Sequence, residues 1–179
     1  ATGLGDPGYV YDKAQWYRAG AQGLTARMLM ARPMSLRKPP QNPLPWLKLL
    51  LASAKDAAAA GQWQQAYDIA RNADTTYTPG TIVRDRPIGE RDVYTDLVWL
   101  GGRAALFYLG RPKDAIALFD RYGSGAKSPQ VRSKGLYWAG RAAEAAGDRA
   151  LANAKFTQAA EFFDQFHGQL ATERLGLPL

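Results

Sequence analysis

Acid–base chemistry in this chain has few places to come from. The glutamates are Glu90, Glu144, Glu161 and Glu173, and the sole histidine is His167. A carboxylate acts as a general acid only where its surroundings tune its pKa. Glu144 and Glu161 fall beside the apolar stripes of helices, Glu90 falls in a loop, and Glu173 follows a threonine near the end, so each reads as a solvated side chain. His167 lies in FHGQL between aromatic and aliphatic neighbours and reads as a packing residue, since one imidazole does not make a metal site alone. There is no cysteine, which removes disulfides, thiolate zinc sites and thiol catalysis and leaves the compartment open. The glycines of GLGDPG and GSGAK lack the strand, loop and helix order of a phosphate loop. Spacing alone therefore yields no catalytic residue, no cofactor site and no metal ligand set.

Charge is more informative. Against 16 Asp and Glu stand 23 Lys and Arg, a net +7, which favours acidic partners such as nucleic acid, anionic lipid or a carboxylate-bearing polymer. The basic residues are spread along the chain, with no Lys/Arg block interleaved with aromatics, which speaks against nucleic acid. An apolar fraction of 46% is that of a folded domain. No apolar run approaches the roughly 20 residues of a transmembrane segment. The opening ATGLGDPGYV has neither a basic n-region nor an apolar h-region, so a signal peptide is either absent or already removed.

The elements that would position any site are helices. Asp6-Pro7-Gly8 reads as a turn, Tyr9 to about Ala21 as a helix carrying Val10, Tyr11, Trp16 and Tyr17, and Leu24 to Ala31 as a second. Five prolines between Pro33 and Pro45 then predict an extended connector. Strong helix formers run from about Pro45 to Gly61, and the next helix sets Ala66, Ile69, Ala70 and Ala73 on one face. From Asp74 to Arg91 the Pro-Gly pair, a β-like TIV triplet and a further proline predict a long surface loop with some extended structure. Asp92 to Leu109 places Val93, Leu97, Leu100, Ala104 and Phe107 on one stripe, and Pro112 starts a partner carrying Ala115, Leu118, Phe119 and Tyr122. The last hairpin opens at Ser128-Pro129, turns at Gly147-Asp148, and bears the stripe Ala152, Phe156, Ala159, Ala160 and Phe163.

These hairpins share a register. Gly61, Gly110 and Gly147 stand between their helices, with Ala66, Ala115 and Ala152 five residues on and Ala70, Phe119 and Phe156 nine residues on, while Gly140 lies seven before Gly147. The fold expected is all-α: one domain over residues 1–179, a superhelix of antiparallel helical hairpins of the tetratricopeptide-like α-solenoid kind. Its units fall at about 9–31, 45–73, 92–122 and 129–163, with a terminal helix at about 164–175.

YWAGRAAEAAGD followed by FTQAAEFFDQFHGQLATERLG resembles the end of the α-superhelical region of soluble lytic transglycosylases. The matching pieces are Tyr137-Trp138, Gly140 to Glu144, Gly147-Asp148, Phe166 to Ala171 and Leu175-Gly176, with His167 where the family usually has another aromatic. The likeness runs back through WLGGRAALFYLGRPKDAIALFD, DAAAAGQWQQAYDIA and DPGYVYDKAQWYRAG. It is weakest in the proline-rich linker and the loop.

The resemblance implies a bacterial, periplasmic protein of cell-wall turnover. Such enzymes cleave peptidoglycan between N-acetylmuramic acid and N-acetylglucosamine and leave an anhydro end. Their catalytic domain follows the superhelix and carries a glutamate in a Glu-Ser motif, and no glutamate here precedes a serine. The expectation is a non-catalytic superhelical portion, inactive alone, that acts as a scaffold for its own C-terminal catalytic domain and for glycan strands. Because stem peptides carry carboxylates, Arg84, Arg86 and Arg91 in the long loop are the candidate glycan contacts. The alternative is a tetratricopeptide-like module that binds a protein partner in its groove.

Overall fold

The computed structural model describes residues 3–179. Among these residues there are nine α-helices and no strand: α1 (Pro7–Ala19), α2 (Gly23–Ala31), α3 (Pro43–Ala59), α4 (Trp63–Ala70), α5 (Ile88–Arg103), α6 (Pro112–Ser124), α7 (Pro129–Ala145), α8 (Arg149–Ala160) and α9 (Phe166–Arg174). Each helix packs chiefly on its chain neighbours, with α2 also on α4, α3 on α5 and α7 on α9. The all-α expectation holds.

Helix starts follow from capping chemistry. The Asp6 carboxylate accepts from the backbone N–H of Gly8 at 2.9 Å and of Tyr9 at 3.3 Å, so α1 begins at Pro7 and the expected Asp6–Gly8 turn is its N-cap. Ser128 and Asp148 cap α7 and α8 in the same way, through the N–H of Val131 and of Leu151. The expected extended connector stops earlier than its prolines do. Pro43 and Pro45 lie in the first turn of α3, where a missing N–H leaves no hydrogen bond unmade.

Two stretches depart further from expectation. The loop from Asp74 to Arg91 contains no extended strand: Arg71–Thr76 and Val83–Asp85 are 3-10 turns, and α5 already starts at Ile88. Glu90 therefore sits in the first helical turn and is buried rather than solvated. A carboxylate there opposes the positive end of the helix dipole. The second departure is Phe163, which lies beyond the end of α8 and is 77% exposed.

The turns between paired helices repeat in detail. Gly61, Gly110 and Gly147 have φ of +72°, +61° and +82°, a region that costs a side chain. Behind two of them the N–H five residues on closes the helix, from Gln62 to the Ala57 carbonyl at 2.8 Å and from Asp148 to that of Ala143 at 2.9 Å. At Gly110 the equivalent bond runs from Arg111 to Ala105 at 2.8 Å, one residue longer. The extra residue is housed in a π-helical turn, Ala104–Tyr108, that extends α5. This tips Phe107 outward to 51% exposure, although the helical stripe would have buried it.

Glycines inside helices bring the layers together. A Cβ on Gly102 would stand 2.6 Å from the Phe119 ring, and one on Gly140 would stand 2.6 Å from the Phe156 ring. Each buried phenylalanine thus fills a socket floored by glycine. Between α6 and α7 the backbones themselves meet, at Gly123 and Gly135. The main core is continuous from Val10 to Ala142. A smaller cluster of Tyr137, Ala143, Ala152, Phe156, Ala159 and Ala171 lies beneath α9, with Ile116 and Trp138 touching both.

Candidate functional site

A cleft of about 680 Å³ opens between the loop after α4 and the neighbouring ends of α5 and α6. One wall is the loop, from Tyr77 to Arg84. The other is Tyr94 of α5 with Arg121 and Ser124 of α6. A second hollow of about 350 Å³ shares Arg84, Arg121 and Ser124 with it and extends past Arg132 to Lys155 of α8. Together they form one groove lined by four cations and two carboxylates, Asp74 and Asp120.

Two tyrosine–carboxylate–arginine sets hold the loop in place. The Tyr77 hydroxyl donates to Glu90 Oε1 at 2.9 Å, and Arg86 donates to both oxygens of the same carboxylate, at 3.0 and 3.2 Å. Beside it the Tyr94 hydroxyl donates to Asp74 Oδ1 at 2.6 Å, while Arg121 pairs with Asp74 Oδ2 at 2.9 Å. The two tyrosine rings lie 6.4 Å apart. Burial, then the bond to Glu90, pushes the Tyr77 phenol far above its ordinary value, and burial, then the Asp74 charge, does the same to Tyr94. Both hydroxyls stay protonated and serve as fixed donors. Glu90 accepts from Tyr77 and Arg86, so its role is to anchor the loop.

Of the three arginines expected to contact glycan, Arg84 alone lines the groove. Arg86 turns inward onto Glu90, with its guanidinium 5.5 Å from the centre of the Tyr77 ring. Arg91 lies along the backbone, its Nη1 3.5 Å from the Arg84 carbonyl. It lines a separate hollow with Lys127 and Ser128. Its buried Nε has no partner among the described residues. The structure thus separates three residues that are close in sequence.

It also supplies three that sequence reading missed. Arg121, Arg132 and Lys155 come from three helices and reach one groove. Lys155 pairs with Asp120 at 3.0 Å, and the Arg132 guanidinium lies 5.2 Å from the centre of the Phe162 ring. Their one sequence signal is that each lies on an amphipathic helix outside its apolar stripe. Asp74 and Asp120 in the same lining pair with Arg121 and Lys155, so the excess positive charge of the groove comes from Arg84 and Arg132 and favours an anion there.

The remaining sequence candidates are structural. Glu144 pairs with Arg174 of α9 at 2.8 Å, and His167 packs 5.5 Å from Tyr137. Among the described residues no three His, Cys, Asp or Glu side chains converge to hold a metal ion, and no helix is long and apolar enough to cross a membrane. Comparison with protein families, with curated proteins and with solved structures finds no match for this chain.

Proposed function

We propose that the chain is the superhelical, non-catalytic portion of a bacterial lytic transglycosylase, a scaffold that meets peptidoglycan in the periplasm and seats a catalytic domain against its last helices. In this reading the helical pairs stack as a tetratricopeptide-like solenoid. The observation that carries it lies in the motifs of the resemblance. Gly140 floors the Phe156 socket, Gly147 takes the left-handed turn, Asp148 caps α8, and Glu144 reaches Arg174 on α9. Those residues build the joint on which a following domain would rest. The groove from Arg84 to Lys155 adds hydroxyls and a net positive charge, carried by Arg84 and Arg132 beyond the pairs Arg121–Asp74 and Lys155–Asp120, that suits a polymer with carboxylate arms.

Sedimentation with insoluble peptidoglycan at low salt tests the reading. The chain should pellet with the polymer, release as ionic strength rises, and leave the turbidity of the suspension unchanged. Failure to pellet, or clearing of the suspension, overturns it. A second reading, a module that binds a protein partner, is favoured by the apolar surface beside α9, where Phe163 is 77% and Phe166 69% exposed. Recovery of one protein from periplasmic extract, with no dependence on sugar, would select it.

A further inference from the structure

Away from the groove, α5 and α7 present two rows of side chains that alternate cation with aromatic ring. On α5 and its π turn the row is Trp99, Arg103 and Phe107, four residues apart each time. On α7 it is Lys134, Trp138 and Arg141, four and then three apart. Such spacings put each row on one helix face. The rows interlock: Lys134 Nζ lies 4.2 Å from the centre of the Trp99 ring, Trp138 sits 6.4 Å from Trp99 and 5.4 Å from Phe107, and the Arg141 guanidinium lies 5.5 Å from the Trp138 ring. No sequence window contains this arrangement, because its halves are 35 residues apart (134 − 99 = 35).

The cations of the ladder are short of counter-charge. Arg141 has Glu144 at 3.8 Å, but Glu144 is held more closely by Arg174, at 2.8 Å. Among the described residues neither Lys134 nor Arg103 has a carboxylate within ion-pair distance. Lys134 is nonetheless half-buried, and burial together with the Arg103 charge lowers its pKa from the ordinary lysine value. A partly desolvated cation on an aromatic face, with a like charge beside it and no partner, is a place where an arriving anion gains more than it would at a solvated lysine.

We propose that this ladder binds carboxylates carried on the flexible peptide arms of a polymer, with Lys134 and Arg103 as the anion-binding pair. The proposal rests on the peptidoglycan reading above and gives it a second contact surface. Single-stranded nucleic acid fits less well, because it binds by stacking bases on open ring faces. Here Lys134 lies over Trp99 and Arg141 over Trp138, while Phe119 and Tyr122 pack against Trp99. What the ladder offers outward is charge at fixed spacing.

The test is a tryptophan-fluorescence titration of the whole chain with soluble disaccharide–peptide fragments of peptidoglycan. The same fragments with their carboxylates amidated are the second arm. Amidation should weaken binding about tenfold or more, and the double variant Lys134→Gln/Arg103→Gln should lose as much, whereas Lys113→Gln on exposed α6 surface should bind like the parent. If the double variant fails to fold, the exposed Arg103→Gln carries the test alone. Equal binding of free and amidated fragments, or unchanged binding by the variants, overturns the site. When the parent chain still sediments with insoluble peptidoglycan, that result leaves the broader reading standing. A parent chain that does not sediment removes both. An oligothymidylate that displaces the fragments at equal charge concentration would assign the ladder to nucleic acid instead.

Discussion

In the α5–α6 pair Phe119 closes over Gly102 from nine residues past the turn glycine, and in the α7–α8 pair Phe156 closes over Gly140 from the same distance. The sockets match, yet the runs leading to them do not. Gly102 lies eight residues before Gly110, whereas Gly140 lies seven before Gly147, and the π turn at Ala104–Tyr108 absorbs the difference. The contact between ring and bare backbone is therefore what sets how closely two helices approach. Residue spacing adjusts to it. The α3–α4 pair supports the point from the other side: with Ala70 at the phenylalanine position, closeness is used instead against Gly101 of α5, where a Cβ would meet that of Ala70 at 2.5 Å.

If the sockets are equivalent, emptying them should cost about the same for the ring itself. Phe119→Ala and Phe156→Ala should each lose about 3–5 kcal/mol by urea denaturation. Phe119→Ala should lie at the upper end, because Trp99 and Trp138 pack on Phe119 in the larger core. Filling the floors comes next. Gly102→Ala and Gly140→Ala should each cost about 1–3 kcal/mol by overpacking, and a smaller aliphatic side chain in place of the ring, Phe119→Leu or Phe156→Leu, should recover part of it. If Gly102→Ala is harmless while Gly140→Ala is not, the π turn makes its socket more yielding and the equivalence fails. Smaller still are the turns, where Gly110→Ala and Gly147→Ala should cost about 1 kcal/mol each through the left-handed backbone.

The smallest effect separates the pairs. His167 packs beside the second socket, and burial, then the Lys134 charge, lowers its pKa from 6.5. The unfolded chain then takes up a proton first as pH falls, so this contribution is whole above about pH 6.5 and is lost as pH drops through the folded-state value. Unfolding midpoints at pH 7 and pH 5 should differ for the parent and differ less for His167→Phe.

Much of the fold was legible because its punctuation is chemical. Pro112 and Pro129 start helices, Gly61, Gly110 and Gly147 stop them, and the period of the apolar residues fills in the rest. What escaped was set by contacts across the chain. Nothing in AALFY announces a bond five residues back rather than four, so the helical stripe counts Phe107 with the core. Pro87 and Gly89 read as loop, and α5 begins at Ile88 where Tyr77 and Arg86 hold Glu90 in its first turn. The groove was the least legible part. Arg84, Arg86 and Arg91 are close in sequence but face three ways, and Arg121, Arg132 and Lys155 share only a destination.

The π turn has a meaning for how this chain can vary. It is a place where length can change by one residue while the glycine floor, the ring above it and the turn beyond keep their partners. The change is displaced onto the outer surface, onto Phe107 and onto Tyr108, which lies flat on Trp63 at 3.6 Å. Drift in length is thereby uncoupled from the core and made available to whatever the outside of the molecule touches.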